Sequence, residues 1–264
     1  MKIAVMTDLE GVSGVVSFEE QAYGTGKHYE AAKRLLTAEV NAAVEGMLEE
    51  SVTEVLVLDG HGPGGICFED IHPAARLMHG RPWAFRLFRE EILKQYDATI
   101  LIGQHAMAGT ERGTLNHTQS SLAIDSYTLN GRPIGEIAQW ALCAGACGVP
   151  MIFLSGDEAA CREAEALIPG LTTAAVKTGL SRTCAISCAP AEARRRIRDG
   201  MRQAIQRHRR APLPPLTWPG PYVLEKRFFH SGSVDGYRGN PMATVLSPQV
   251  VQLRSDSMLE IIYA

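Results

Sequence analysis

Lys2-Ile-Ala-Val-Met-Thr7 leads straight into Asp8-Leu9-Glu10-Gly11. Residues 2–7 form a short, nearly continuous apolar run, which reads as a buried strand, and two carboxylates stand just beyond its carboxyl end. Three further runs have the same character: Glu54 to Leu58, Ala98 to Ile102, and Met151 to Leu154, the last preceded by Pro150 and followed by Ser-Gly-Asp. Between and after them, apolar residues recur at helical spacing. The pattern predicts helices over 29–50, 135–147, 157–167 and 190–208. In the first of these, Leu36, Val40, Ala43, Val44 and Met47 share one side, with Lys33, Glu45 and Glu49 on the others. Strands alternating with helices predict an α/β layered domain with a largely parallel or mixed sheet. Leu122 to Leu129 alternates polar and apolar and ends in Asn130-Gly131, a strong hairpin turn signal.

The proline-rich stretch from Ala211 to Pro221 can continue neither a helix nor a central strand. It divides the chain into residues 1–211, read as the α/β catalytic domain, and residues 212–264, read as a joint followed by a small β-rich segment. Strand-like runs at 222–229, 242–246 and 249–253 make that segment either an appendage or a sheet extension. A chain of 264 residues, 45% of them hydrophobic, is long enough to bury about three quarters of its unfolded surface without help from disulfides or metals. Lys and Arg number 26 against 29 Asp and Glu, and aromatics are 6%. That balance argues against nucleic acid as a partner. No apolar run approaches the roughly 18 residues of a membrane span, and the first apolar stretch is too short for a signal-peptide core. The expectation is a cytoplasmic protein without a membrane partner. Cys143 and Cys147 fall on a predicted helix with no histidine beside them, so they read as small core residues, with redox or structural-zinc roles as the alternative. The arginines between Arg194 and Arg210 read as a solvated helix face or a subunit contact.

The chemistry concentrates at strand ends. Asp8 and Glu10 are two residues apart in extended chain and so point to the same side. Side by side, two carboxylates repel, and a divalent metal is the usual counter-charge. His61 follows the second strand in Asp59-Gly60-His61, and His105 follows the third in Gly103-Gln104-His105. In open α/β sheets the carboxyl edge is where ligands bind. Any one of these residues has an ordinary reading, as a solvated carboxylate or a structural histidine, but four ligand-type residues converging from three strands make a site. Glu136, in the first turn of a helix, would on its own be a dipole-complementing acid. His117 lies in a loop-like stretch. The glycines between Gly60 and Gly65 lack both the dinucleotide fingerprint and a Walker lysine, and Gly-x-Ser-x-Gly and Ser-x-x-Lys are absent.

Taken together, Thr7-Asp-Leu-Glu-Gly-Val-Ser-Gly14, Asp59-Gly-His61, Gly103-Gln-His-Ala106, Asn116-His117 and Asn130-Gly-Arg-Pro-Ile-Gly-Glu136 resemble the zinc D-aminopeptidase family of the dipeptide-transport operons. Ser155-Gly-Asp157 and Ala174-Ala-Val-Lys177 are similar to it as well, so the resemblance spans residues 1 to about 210. It implies a peptidase with two zinc ions per subunit that removes amino-terminal residues from short peptides, with D-amino-acid preference in the founding member. It implies Asp8, Glu10, His61, His105 and Glu136 as metal ligands. His117 corresponds to an additional active-site histidine, whose role as acid/base, oxyanion stabiliser or nucleophile stays open. It also implies a ring-shaped homo-oligomer, a decamer of two stacked five-membered rings. Five protein ligands for two ions require a bridging group, and Asp8 is the choice. Asn116 and Arg132 are candidates for orienting substrate, and Asp59 for anchoring the His61 ring. The alternatives are a metal-dependent amidase acting on another small amide, and a non-catalytic metal-binding ring scaffold or peptide-binding protein. Retention of all five ligand-type residues together with His117 favours a catalyst.

Overall fold

Ile3 and Val5 are buried on one face of the first strand, and Ala4 and Met6 on the other. A strand apolar on both faces belongs in the middle of a sheet covered by helices on each side, and the computed structural model, which describes residues 1–264, puts it there. In chain order, β1 (Lys2–Thr7) is followed by α1 (Tyr29–Glu49), β2 (Glu54–Asp59), β3 (Ala75–Met78), α2 (Arg86–Leu93) and β4 (Ala98–Gln104). Next come β5 (Ile124–Leu129), β6 (Arg132–Ile134), α3 (Glu136–Ala146), β7 (Met151–Asp157), α4 (Glu158–Leu167), β8 (Thr172–Ser181) and β9 (Cys184–Ser187). The chain ends with α5 (Pro190–Arg210), β10 (Tyr222–Phe228), β11 (Ala243–Ser247), β12 (Val250–Ser255) and α6 (Met258–Ile261).

The main sheet has the order β3-β2-β1-β4-β7-β8-β9. Its first six strands are parallel and β9 is antiparallel to β8. Leu36, Val40, Val44 and Met47 of α1 and Ile197, Met201 and Ile205 of α5 cover the Ile3/Val5 face. Leu93 of α2, Ile137 and Trp140 of α3 and Ala160 and Ala164 of α4 cover the Ala4/Met6 face. The expected α/β layering with a largely parallel sheet is therefore present. No helix is long and apolar enough to cross a membrane.

A second, antiparallel sheet has the order β11-β12-β10-β5-β6. Asn130 and Gly131, with φ of 50° and 74°, make the tight turn of the β5–β6 hairpin. β10 pairs with β5, so this sheet draws on both sides of the proline-rich joint. That pairing is of the sheet-extension kind, not that of a free-standing appendage. α3 is wedged between the two sheets. Its Ile137, Trp140 and Ala141 pack on the main sheet, and its Ala138 and Leu142 pack on the second. Burial on opposite sides explains why this helix is apolar nearly all round.

Five of the eight arginines of α5 pair within the chain. Arg198 and Arg202 reach Glu49, Arg209 reaches Glu50, and Arg195 and Arg196 reach Glu192. These pairs are compatible with a solvated face and with a subunit contact alike. All six cysteines are free, with Cys67 and Cys161 buried and Cys184 exposed.

The ends of β1 and β4 lie unusually close. Gly103 has φ +77°, and a Cβ built there would stand 2.1 Å from the Asp8 carbonyl oxygen. Only glycine satisfies both constraints. Gly103→Ala is expected to cost roughly 2 to 4 kcal/mol from overpacking plus left-handed strain. Gly239→Ala, at φ +84° with open space around it, is expected to cost only the strain, ~1 kcal/mol. Urea denaturation of the two variants side by side checks the difference; equal losses would mean that the close approach is not tight.

Candidate metal centre

Asp8 follows β1, His61 follows β2 and His105 follows β4, so the parallel sheet delivers all three to one edge. Glu10 comes two residues after Asp8, and Glu136 opens α3. Asp8, Glu10, His61, His105 and His117 are all buried. The Asp8 carboxylate lies between two imidazoles, with Oδ1 3.2 Å from His61 Nδ1 and Oδ2 3.1 Å from His105 Nε2. Glu10 Oε2 is 3.1 Å from His61 Nδ1. Glu136 Oε1 is 3.4 Å from His105 Nε2 and 3.7 Å from His117 Nε2. The sequence-predicted ligands thus come together as one cluster, and His117 joins it, its ring stacked on His105 at 4.0 Å.

The outer partners fix the rings. His61 Nε2 lies 2.8 Å from the Ala22 carbonyl, His105 Nδ1 2.9 Å from the Ala106 carbonyl and His117 Nδ1 2.9 Å from the Leu115 carbonyl. In each pair the carbonyl accepts from the ring N–H, so the inward nitrogen is the atom left to a proton or a metal ion. Glu10 Oε2 and His105 Nε2 are buried without a hydrogen-bond partner. Asp8, Glu10 and His105 offer ligand atoms within 4.8 Å of one another, and so do His105, His117 and Glu136. His105 belongs to both triads but has only one inward nitrogen, so the group able to serve both sides is the Asp8 carboxylate, with Glu10 and His61 beside one oxygen and His105 and Glu136 beside the other. This mixed donor set fits a pair of divalent ions.

The charges agree with this. Burial opposes ionisation of Asp8, but the adjacent His105 and His61 imidazoles and their charges outweigh that and hold its carboxyl well below the ordinary range. Burial also opposes protonation of His61 and His105. The surrounding carboxylates, Glu10 and Asp8 for His61 and Glu136 and Asp8 for His105, nonetheless push both well above the usual imidazole range. The cluster demands positive charge, which protons or metal ions can supply.

Three expected residues do other work. Asp59 does not touch the His61 ring: its carboxylate accepts from Gly65 N at 2.8 Å and Ile66 N at 3.4 Å, shaping the loop that carries His61. The ring is held by the Ala22 carbonyl instead. The Asn116 side chain is used up inside its own loop, donating to the Gly113 carbonyl at 2.7 Å and accepting from Gly109 N at 3.1 Å. Arg132 is exposed and lies over the Trp218 ring at 5.1 Å, away from the cluster. A substrate-orienting role for either is not what the geometry provides.

Other residues went unnoticed in the sequence. Gln104 Nε2 donates to Asp8 Oδ2 at 3.1 Å, and Gln119 N donates to Glu136 Oε1 at 2.7 Å. Gln104 sits beside His105 in a strand-end motif, a signal that could have singled it out. Lys177 is buried and donates to the Glu10 and Val15 carbonyls, pinning the turn after β1 from below. Burial pulls its ammonium down to about 8 against the attraction of Asp157, Glu39 and Glu10. The cluster opens into a cavity of about 610 Å³, lined by Asp8, His61, His117 and Glu136 at one end and by apolar side chains such as Leu56, Leu93 and Trp140 farther along.

A three-layer α/β fold whose parallel sheet gathers carboxylates and imidazoles at the mouth of such a cavity defines the class as a hydrolase of the metal-centre type. Within it, the chain belongs to the peptidase family described as D-aminopeptidase, whose model matches residues 1–264. It is similar to the D-aminopeptidase of Bacillus subtilis (strain 168), with 32% identity over 263 residues, covering 98% of this chain and 93% of the relative. It is also similar to a solved structure described as the Zn-dependent D-aminopeptidase DppA from Bacillus subtilis, a self-compartmentalizing protease. That likeness has a TM-score of 0.89 and 29% identity, and covers 100% of this chain and 94% of the other.

Glu39 of α1 supports the same turn, accepting from Ser13 N at 3.0 Å. Burial raises its carboxyl to about 7, outweighing the Ser13 N–H and the charges of Lys177 and Arg194. A folded value above the unfolded 4.5 means that its contribution to stability is present at low pH and is lost as pH rises through 7. Glu39→Gln is therefore expected to gain about 2 to 3 kcal/mol relative to the parent between pH 5 and pH 8. Urea denaturation at both pH values checks this, and parallel pH profiles for the two proteins would contradict it.

Proposed function

We propose that the chain is a binuclear zinc aminopeptidase that removes the amino-terminal, D-configured residue of short peptides. The observation that carries this reading is the Asp8 carboxylate, 3.2 Å from His61 and 3.1 Å from His105, which is the geometry of a group shared by two adjoining sites. Asp8, Glu10 and His61 would hold one ion, and Asp8, His105 and Glu136 the other. Zinc is supported by the mixed carboxylate and imidazole donor set and by the zinc dependence named for the similar DppA structure. When bound, the pair supplies an activated water and an electrophile for the scissile carbonyl.

The chain's own residues do the rest. Gln104 holds Asp8 Oδ2, and Lys177 holds the Glu10 carbonyl, so the carboxylates keep their aim as charge redistributes. His117 has its Nδ1 proton on the Leu115 carbonyl, which leaves Nε2 facing the cluster. From there it takes up a proton and delivers it to the leaving amine. His117 is closer to Glu136 than an outer residue needs to be, at 3.7 Å. The stack on His105, with the edge of His117 against the Phe18 ring, supports a held proton carrier more than a third imidazole ligand. The cavity limits access to short chains. Assembly into a closed homo-oligomer would limit it further, a reading supported by the self-compartmentalizing description of the similar structure. A decamer of two stacked five-membered rings remains the form that the family resemblance suggests.

Zinc-loaded protein is expected to carry two ions per chain by mass spectrometry of the metal. His61→Ala and Glu136→Ala should lose metal and activity together. His117→Ala should keep its zinc while losing about 10²- to 10⁴-fold in rate, the usual range for an acid–base group. One ion per chain, or zinc lost from His117→Ala as readily as from His61→Ala, would contradict these assignments.

Paired D- and L-dipeptides test the reaction itself. The D-form with a free amine is expected to be cleaved, with its acetylated counterpart and its L-isomer at least about tenfold slower. Rapid cleavage of the acetylated peptide would favour an amidase instead.

A further inference from the structure

Beyond the metal end, the cavity is lined by four basic side chains: Arg81, Arg86, Arg89 and Lys226. Three of them are committed. The Arg81 guanidinium donates to the carbonyls of Asp59, His61, Gly62 and Gly80 at 2.6 to 2.9 Å. Arg86 pairs with the buried Glu90 at 3.0 Å. Lys226 donates to Tyr237 Oη at 3.1 Å and to the Ala264 carbonyl. Arg89 has no ion pair and no side-chain hydrogen bond, and its Nε is buried without a partner. Its guanidinium lies over the Trp83 ring at 5.3 Å, which orients the planar group without neutralising it.

An unpaired cation in a largely apolar recess is costly unless an anion arrives. Arg89, Tyr263 and Glu136 line the same cavity, so the guanidinium and the metal end share one continuous space. A short peptide carries one obligatory anion, its terminal carboxylate, and a guanidinium fork matches a carboxylate with two parallel hydrogen bonds.

We propose that Arg89 receives the free C-terminal carboxylate of a short peptide whose amino end lies at the Asp8–His61–His105 cluster. This rests on the aminopeptidase reading and extends it to the substrate class: short peptides with a free acid terminus, in preference to blocked or amidated ones. An acidic side chain on the peptide offers the same chemistry, and the test separates the two.

The zinc-loaded full chain is assayed with D-leucyl-D-alanine, with the same peptide as its C-terminal amide, and with D-leucyl-D-aspartic acid whose terminal carboxyl alone is amidated. The free acid is expected to exceed the simple amide about tenfold in kcat/KM, through KM, in line with a hydrogen-bonded charge. Arg89→Met should bring that ratio close to one, and Arg89→Lys should keep part of it. A ratio that persists in Arg89→Met overturns the proposal, and so does an aspartyl peptide that matches the free acid. Binding is read separately, without turnover, from tryptophan fluorescence as acid or amide is titrated into metal-free protein. If neither peptide is cleaved, the aminopeptidase reading fails, yet tighter binding of the acid that is lost in Arg89→Met still supports the anchor. Equal binding of acid and amide overturns it.

Discussion

Asp8 sits in the interior between two imidazoles, with Glu10 and Glu136 close by, and the rest of the structure is organised around making that possible. Several ionisable groups removed from water cost several kcal/mol each unless their charges are matched and their remaining polar atoms are bound. Here the outward ring nitrogens are matched by the carbonyls of Ala22, Ala106 and Leu115. Gln104 and the Gln119 amide bind the carboxylate oxygens of Asp8 and Glu136. Glu10 Oε2 and His105 Nε2 remain without partners, which suits a site that receives cations.

The fold supplies this arrangement through three strand ends and one helix start. Parallel pairing of β1 with both β2 and β4 sets Asp8, His61 and His105 at one height. The close approach at Gly103 brings the β1 and β4 ends together. α3, held between two sheets, carries Glu136 at its first residue, so the second sheet also positions a ligand-type carboxylate. Lys177 and Glu39 brace the turn after β1. Burial of polar groups at both levels explains why so much of the charge in this region is internal.

The central strands and four long helices were legible because their signals are local. Apolar runs such as Ala98–Ile102 mark buried strands, and the 3.6-residue recurrence from Leu36 to Met47 marks a covered helix. The ligand-type residues were legible from position, each lying just past a strand end or at a helix start. β3 and α2 were not. β3 is a half-buried edge strand, and α2 exposes Phe85, Leu87 and Phe88 in and beside its first turns, which blurs the apolar stripe. β8 and β9 carry mixed burial patterns for the same reason. The roles of Asp59, Asn116 and Arg132 depended on where loop side chains turn. That is settled by tertiary partners such as Gly65 N and Trp218, far away in the chain or hidden by a tight turn. Arg89 belongs to no motif, and only the pairing of its neighbours reveals it as free.

The central claim is that one carboxylate, Asp8, is shared by two adjoining ion sites. Anomalous diffraction at the zinc absorption edge, on crystals of zinc-loaded protein, addresses it directly. The account predicts two anomalous peaks flanking the Asp8 carboxylate, one beside Glu10 and His61 and the other beside His105 and Glu136. A single peak, or two peaks of which one has no contact with Asp8, would contradict it.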